Sequence, residues 1–530
     1  MNKMKSYISK ILLATFVVLF ALSCADKTPT PEPIWNGATA VFYANIGDLH
    51  SKSGVAQMDL SKLEQKLDEA GKNHEKEVAI IKSVVRNPQT SGFNLDKPIY
   101  VAFGEYIDDV NKYNAIASAE VESATVVDDF FKTLAEDFDG ANLKVEGNKR
   151  IISIDADGVI IGYDDKRLVV IGSEDEACDL HSVLLNHMKY TSADLSRFVG
   201  YDIALYFDVN KTYDLAYSLN KKESEENTEE VDLSEYLGED ATLVTGLSFD
   251  QGSLSYSANI TGVSEEVSKL FKEVNGQGLN RLSPSPIALL NVGVNGEAFA
   301  ELANTAIDAA MKTLGGASNE FSIYKNVALG VIASISGDLM FALTDADGTI
   351  SEDAMGDKRL LFTSADALFI AEVTDDYIMK NIDTYAGSFL TKQKNGYSIN
   401  AFGNKLTIAQ QDKLFYVGVN NDGSIKVDSA ADQEWFNNVI GSYLFAMVDF
   451  DRLFKSGYGR TALRVVLDSI KNPAEIDSAK KLISSIDKTY ISVSGNNDTV
   501  RGEIMIVTRN KSKNALQNII ELYYDLAFNQ

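Results

Sequence analysis

Two periodicities alternate along the chain. Leu243, Thr245, Leu247 and Phe249 alternate with Thr242, Val244, Gly246 and Ser248, and after Asp250-Gln251-Gly252 the pattern resumes with Leu254, Tyr256, Ala258 and Ile260. A period of two broken by a short polar turn predicts a hairpin with one buried face. Leu516, Ile519, Tyr523 and Ala527 instead fall in line at helical spacing, which predicts a helix over 514–528 that covers such a face. Two more helices are expected. One follows Ser123, with Val126, Val127, Phe130 and Leu134 on one side; the other follows Thr374, with Ile378, Ile382, Tyr385 and Phe389. Both starts carry a hydroxyl N-cap and early acids (Asp128, Asp129; Asp375, Asp376), where free amides and the helix dipole favour them. The fold class these patterns predict is α+β, a mostly antiparallel sheet with helices packed on one face.

The pattern also repeats. AVFYANIGDL at 40–49 is answered by IALLNVGVNG at 287–296, DKRLVVIG at 165–172 by QDKLFYVG at 411–418, and YFDVNKTY at 206–213 by MVDFDRLF at 447–454. The helices after Ser123 and Thr374 form a fourth match. Val267 with Leu516, and Leu270 with Ile519, form a fifth, in a terminal helix of each copy. Colinear matches at a spacing of roughly 240–250 residues, far beyond a solenoid period, predict two tandem domains. The expected division is 37–274 for the first copy, 275–286 for a linker hinged at Gly276 and Gly278, and 287–530 for the second copy. Residues 221–240, with nine acids, read as an exposed insertion in the first copy.

The first residues give an address. Lys3, Lys5 and Lys10 precede a run from Ile11 to Leu22 that is apolar except for Thr15, and Ser23-Cys24 follow. A basic start, a short apolar run and a small residue at the cut predict a signal peptide over 1–23. The run is shorter than the roughly 20 residues a membrane span needs. Ala21-Leu22-Ser23-Cys24 resembles a bacterial lipobox, with Ala21 where leucine is usual. That resemblance implies lipid attachment at Cys24, palmitate included. Residues 24–36, polar and proline-rich, read as an extended tether.

Composition narrows the partners. The chain of 530 residues carries a net charge of −27, or −30 without the three signal lysines. So acidic a surface repels nucleic acid, which is excluded as a partner. With Cys24 acylated, Cys178 has no second cysteine to pair with, so no disulfide framework is expected.

Catalytic signatures are missing. There is no glycine-rich phosphate loop, no Gly-x-Ser-x-Gly elbow, no Cys-x-x-Cys and no His-Glu-x-x-His. Cys178-x-x-His181, with His187 further on, shares a helical face with Leu184 and Met188, which reads as core rather than a zinc site. Asp155-Ala156-Asp157-Gly158 reads as a hairpin turn. Asp345-Ala346-Asp347-Gly348 fails as a calcium loop, since Leu343 and Ala354 would occupy its first and twelfth positions. No catalytic residue, metal ligand or cofactor is expected.

One stretch carries a family resemblance. Asn87-Pro88, Ser91-Gly92, Leu95-Asp96 and Lys97-Pro98 lead into the strand at Ile99-Tyr100-Val101, and with the opening strand at 40–49 they resemble a family of Bacteroidota lipoproteins, domain of unknown function 4836. The resemblance implies the cell envelope and supplies no catalytic residue. The sequence therefore reads as an outer-membrane lipoprotein, held by its N-terminal lipid and facing either the periplasm or the outside. Its expected role is that of a non-enzymatic binding or scaffold protein whose partner is an envelope protein or glycan. An enzyme acting on envelope glycan or peptide through an unrecognised site, and a surface adhesin, are the alternatives.

Overall fold

The computed structural model describes residues 32, 34, 38–70, 75–94, 96–104, 114–137, 141–154, 158–173, 179–190, 192–214, 237–282, 286–313, 319–352, 358–401, 403–420, 435–470, 473–496 and 498–528. They form two compact units of mixed helix and antiparallel sheet. Unit 1 takes the described residues of 32–214, 239–260 and 510–528; unit 2 takes 237–238 and 261–509.

Unit 1 contains β1 (Ala38–Ala44), β2 (Ile99–Gly104), β3 (Asn114–Glu120), β4 (Ala141–Glu146), β5 (Lys149–Ile154), β6 (Val159–Tyr163), β7 (Arg167–Ser173), β8 (Ile203–Asp208) and most of β9 (Leu237–Asp250) and β10 (Ser253–Val263). Their spatial order is β4-β5-β6-β7-β3-β2-β1-β8-β9-β10. The β9–β10 turn falls where the alternation places it, with Gly252 at φ 76°. The sheet is covered on both faces, not on one as the sequence pattern predicts. Leu168 and Val170 of β7 join Val127 and Phe131 of helix Ala124–Asp137 in one cluster. Val169 and Ile171 pack with Leu184 and Met188, in and just after helix Leu180–His187. The run Leu168-Val169-Val170-Ile171 is buried throughout, as a strand covered on both faces must be. Helix Ala124–Asp137 turns Val127 and Phe131 inward, while Val126 is 40% exposed.

Unit 2 contains β11 (Ala288–Gly293), β12 (Ile335–Glu352), β13 (Lys358–Val373), β14 (Thr391–Gln393), β15 (Gly396–Ala401), β16 (Asn404–Gln411), β17 (Leu414–Val419), β18 (Leu444–Asp449), β19 (Ile486–Gly495) and β20 (Thr499–Thr508). Here the order is β14-β15-β16-β17-β13-β12-β11-β18-β19-β20, antiparallel throughout. On one face Met340, Ile370, Phe445 and Tyr490 pack under Val274, Leu279, Trp435 and Val439. Helix Tyr377–Tyr385 covers the other through Ile378 and Ile382. Its expected partners Tyr385 and Phe389 are exposed. Its N-cap is Asp376 rather than Thr374, and the Tyr377 amide donates to the Asp375 carboxylate at 2.8 Å.

Three expected boundaries move. The first is the tether over 24–36: Glu32 and Ile34 are buried in unit 1. The second is the linker over 275–286. Val274 exchanges backbone hydrogen bonds with Gly441 and Ser442, the amides of Asn275 and Gly276 donate to the Asp338 carboxylate at 3.0 and 2.8 Å, and Leu279 and Leu282 are buried. Residues 274–282 thus belong to the core of unit 2, and the Gly276–Gly278 stretch is no hinge. The third is the C-terminal segment, assigned by sequence to the second copy. Helix Ala515–Phe528 packs in unit 1 against helix Ile46–Ser53, with Gln517 reaching Gly54. Of the acidic stretch 221–240, residues 237–240 open β9 and 221–236 lie outside the described residues.

Candidate functional site

The most concentrated buried chemistry lies in unit 1. Glu32 extends alongside 192–194, its amide donating to Ser192 O at 2.9 Å and its carbonyl accepting from the Asp194 amide at 3.1 Å. Its carboxylate, 2% exposed, accepts from the Arg167 guanidinium and the Tyr100 hydroxyl and is hydrogen-bonded to His187 Nδ1. Arg167, 3% exposed, also donates through Nε to Ser118 Oγ at 2.5 Å, through Nη1 to the carbonyls of His187 and Tyr190 at 3.1 and 3.0 Å, and through Nη2 to the Tyr100 hydroxyl at 2.6 Å. Ser118 in turn donates to Leu168 O at 2.9 Å.

Burial works against the Glu32 charge. The His187 hydrogen bond, the Arg167 charge and the Tyr100 hydroxyl outweigh it and bring the carboxyl down to about 2. Arg167 keeps its charge although burial opposes it, because Tyr100 and Glu32 surround it. Every guanidinium nitrogen has an acceptor and the whole group is sealed from solvent. The group ties Glu32 to the sheet through Arg167 and Tyr100 and to His187.

A second feature lies in unit 2. A pocket of about 260 Å³ opens where β18, β19 and β20 pass beyond their covering turn. Ile440 and Met505, above the buried rings of Phe445 and Tyr490, form its apolar side; Ser442, Ser492, Ser494, Asn438 and Glu503 supply polar groups. The register explains the convergence. Phe445 stands opposite Ser492, and Ser492 opposite Glu503, so one row across three strands points to one face. Tyr490, Ser492 and Ser494 alternate with outward residues and share that face. Gly441, at φ 79°, turns the chain from helix Phe436–Val439 into β18 and sets the rim.

The candidates singled out in the sequence are scattered. Cys24 and Cys178 lie outside the described residues. His181 stands 3.3 Å from the Glu146 carboxylate, whereas His187 is buried in the Glu32 cluster. Asp155–Asp157 lie outside the described residues, between the paired ends Ile154 and Val159 of a hairpin. Asp345-Ala346-Asp347-Gly348 runs inside β12, opposite Asp366-Ala365-Ser364 and Phe362. Burial first, then Asp345 and Asp347, push the Asp366 carboxyl up. Among the described residues no group of three or more histidine, cysteine or acidic side chains is placed to hold a metal. Also among them, no helix is long and apolar enough to cross a membrane.

Sequence reasoning missed the Glu32 cluster and the pocket. The lone Arg167 at the head of an apolar run was the one local signal for the first. For the second it was the serines of Tyr490-Ile491-Ser492-Val493-Ser494 on the face a cover would bury.

The chain belongs to the family described as Domain of unknown function (DUF4836), whose model matches residues 33–516. No curated protein and no solved structure matches it.

Proposed function

We propose that the protein is a lipid-anchored scaffold or binding protein of the cell envelope, most of whose length is two tandem copies of one α+β fold. The observation that carries this reading is Glu32, buried in unit 1 only eight residues beyond Cys24. Eight extended residues span at most about 29 Å. A lipid on Cys24 therefore holds unit 1 within that distance of the membrane, and any pull on the anchor is taken up by Arg167, Tyr100 and His187 in the core. The buried carboxylate of Glu32 serves this clamp and is closed to solvent, which supports a scaffolding role for this cluster.

The duplication is supported strand for strand. β1 to β10 and β11 to β20 pair in the same order, with the central pairs β1–β8 and β11–β18 in corresponding places. Residues 198–203 and 439–444 match as well: a buried apolar residue, an exposed one (Val199, Ile440), a glycine at positive φ (Gly200, Gly441), then the strand.

Fractionation of cells making the Cys24→Ala protein tests the anchor. The variant is expected to lose metabolic fatty-acid labelling and to leave the membrane fraction. A variant that stays with membranes in high salt contradicts the reading.

A further inference from the structure

The pocket in unit 2 has a counterpart in unit 1 that is filled. There Tyr201, one residue after Gly200, lays its ring over Gly246 of β9; a Cβ at Gly246 would fall 2.5 Å from that ring. Ser257 of β10 donates to the Tyr201 hydroxyl at 2.9 Å. Gly246 stands opposite Ala204 of β8, as Ser492 stands opposite Phe445 of β18. Ser442, one residue after Gly441, occupies the position of Tyr201. Unit 2 thus has a small hydroxyl where unit 1 has an aromatic plug, and a serine where unit 1 has the glycine that receives the ring. The face left open is mixed, with polar groups of Asn438, Ser492 and Glu503 beside the apolar Ile440 and Met505.

The lining selects the ligand. Glu503 is the charged residue on the wall, and Arg501 lies 3.5 Å from its carboxylate, offsetting it. Among the described residues that line the pocket none is lysine or arginine, and the neighbouring Arg501 is paired with Glu503, so an anion is not favoured there. The Ser442 hydroxyl donates to Val439 O at 2.6 Å, while the hydroxyls of Ser492 and Ser494 and the Asn438 amide can both donate and accept, and the carboxylate accepts from hydroxyls. Ile440 and Met505 offer apolar surface above the buried rings of Phe445 and Tyr490. The volume is just below the roughly 300–1,000 Å³ of drug-sized sites, which suits a single small ring.

We propose that this pocket binds one neutral, hydroxyl-rich ring, a sugar residue either free or at the end of a glycan. The proposal rests on the binding-protein reading and gives it a ligand class, while the anchor is tested separately by the fractionation of Cys24→Ala.

The experiment uses the full chain in a sugar-free zwitterionic detergent. The probes are the methyl glycosides of glucose, galactose, mannose and N-acetylglucosamine, with maltotriose and the β-1,4-linked N-acetylglucosamine trimer. Saturation-transfer NMR and titration calorimetry report binding. At least one probe is expected to bind saturably in the millimolar range or tighter. Ser442→Tyr, which rebuilds the plug of unit 1, is expected to weaken it tenfold or more. Glu503→Gln, which keeps the shape, is expected to weaken it several-fold, and this variant decides the matter if Ser442→Tyr does not fold. Binding of the methyl glycosides identifies a single residue as sufficient; binding of the trimers alone identifies a chain end. The proposal is overturned if no probe binds, if both variants bind like the parent, or if glucose 6-phosphate binds more tightly than methyl glucoside.

Discussion

Glu32 and Arg167, 135 positions apart, meet as an ion pair in the interior of unit 1. Both charges are removed from water, so the pair persists only because Tyr100, His187, Ser118 and two backbone carbonyls satisfy what remains. The arrangement joins the first described residue of the chain to the sheet.

Replacing one partner leaves the other charge buried and uncompensated. Glu32→Gln is therefore expected to lower stability by about 3–5 kcal/mol. Denaturant unfolding followed by circular dichroism measures this, with the loss seen as a lower midpoint. A midpoint equal to that of the parent counts against the clamp.

The same pair sets a pH dependence. The Glu32 carboxyl falls from an ordinary 4.5 to about 2 on folding, so its contribution is fully present above 4.5 and is lost as pH falls toward 2. At about 1.4 kcal/mol per unit the shift corresponds to roughly 3 kcal/mol. The stability gap between the parent and Glu32→Gln is expected to narrow as pH drops from about 5 to about 2. Unfolding curves at several pH values check this, and a gap that stays constant refutes it.

Asn514 closes the start of the C-terminal helix. Its side chain accepts from the Leu516 amide at 2.9 Å and donates to Phe249 O at 2.8 Å. Asn514→Ala is expected to cost about 1 kcal/mol through loss of the cap. Hydrogen exchange is expected to quicken in helix Ala515–Phe528 and around Phe249, with β12 and β13 unchanged.

Gly441 separates backbone strain from crowding. It lies at φ 79°, and a Cβ there meets nothing within 4 Å. Gly441→Ala is expected to cost about 1–2 kcal/mol from the left-handed backbone alone. The midpoint of thermal unfolding reads that loss, and an unchanged midpoint argues against the turn geometry.

Much of the local structure was legible in the sequence. The alternation at 242–260 gave a hairpin turning at Gly252, and the heptad-like line from Leu516 gave helix Ala515–Phe528. Periodicity reports which face of an element is apolar but not which element covers it. Hence the expected one-sided cover misses the helix packed on Val169 and Ile171, and the C-terminal helix with Leu516 falls to the other unit. Glu32 was unreadable for a different reason. Thr-Pro-Thr-Pro-Glu-Pro has the composition of a solvated tether, and the residues that make its acid a buried group come from Tyr100, Arg167 and His187. The pocket assembles from a turn and three strands, so no contiguous motif announces it.

Because helix Ala515–Phe528 belongs to unit 1, that unit draws on residues from both sides of unit 2. Domains generally fold in the order in which their chain emerges. Here the order is inverted: unit 2 has all its residues once 509 has been delivered, while unit 1 waits for 510–528. During synthesis, then, the unit nearer the N-terminus in the chain is the later one to close. Until it does, the end of helix Ile46–Ser53 at Gly54, where Gln517 packs, stays uncovered.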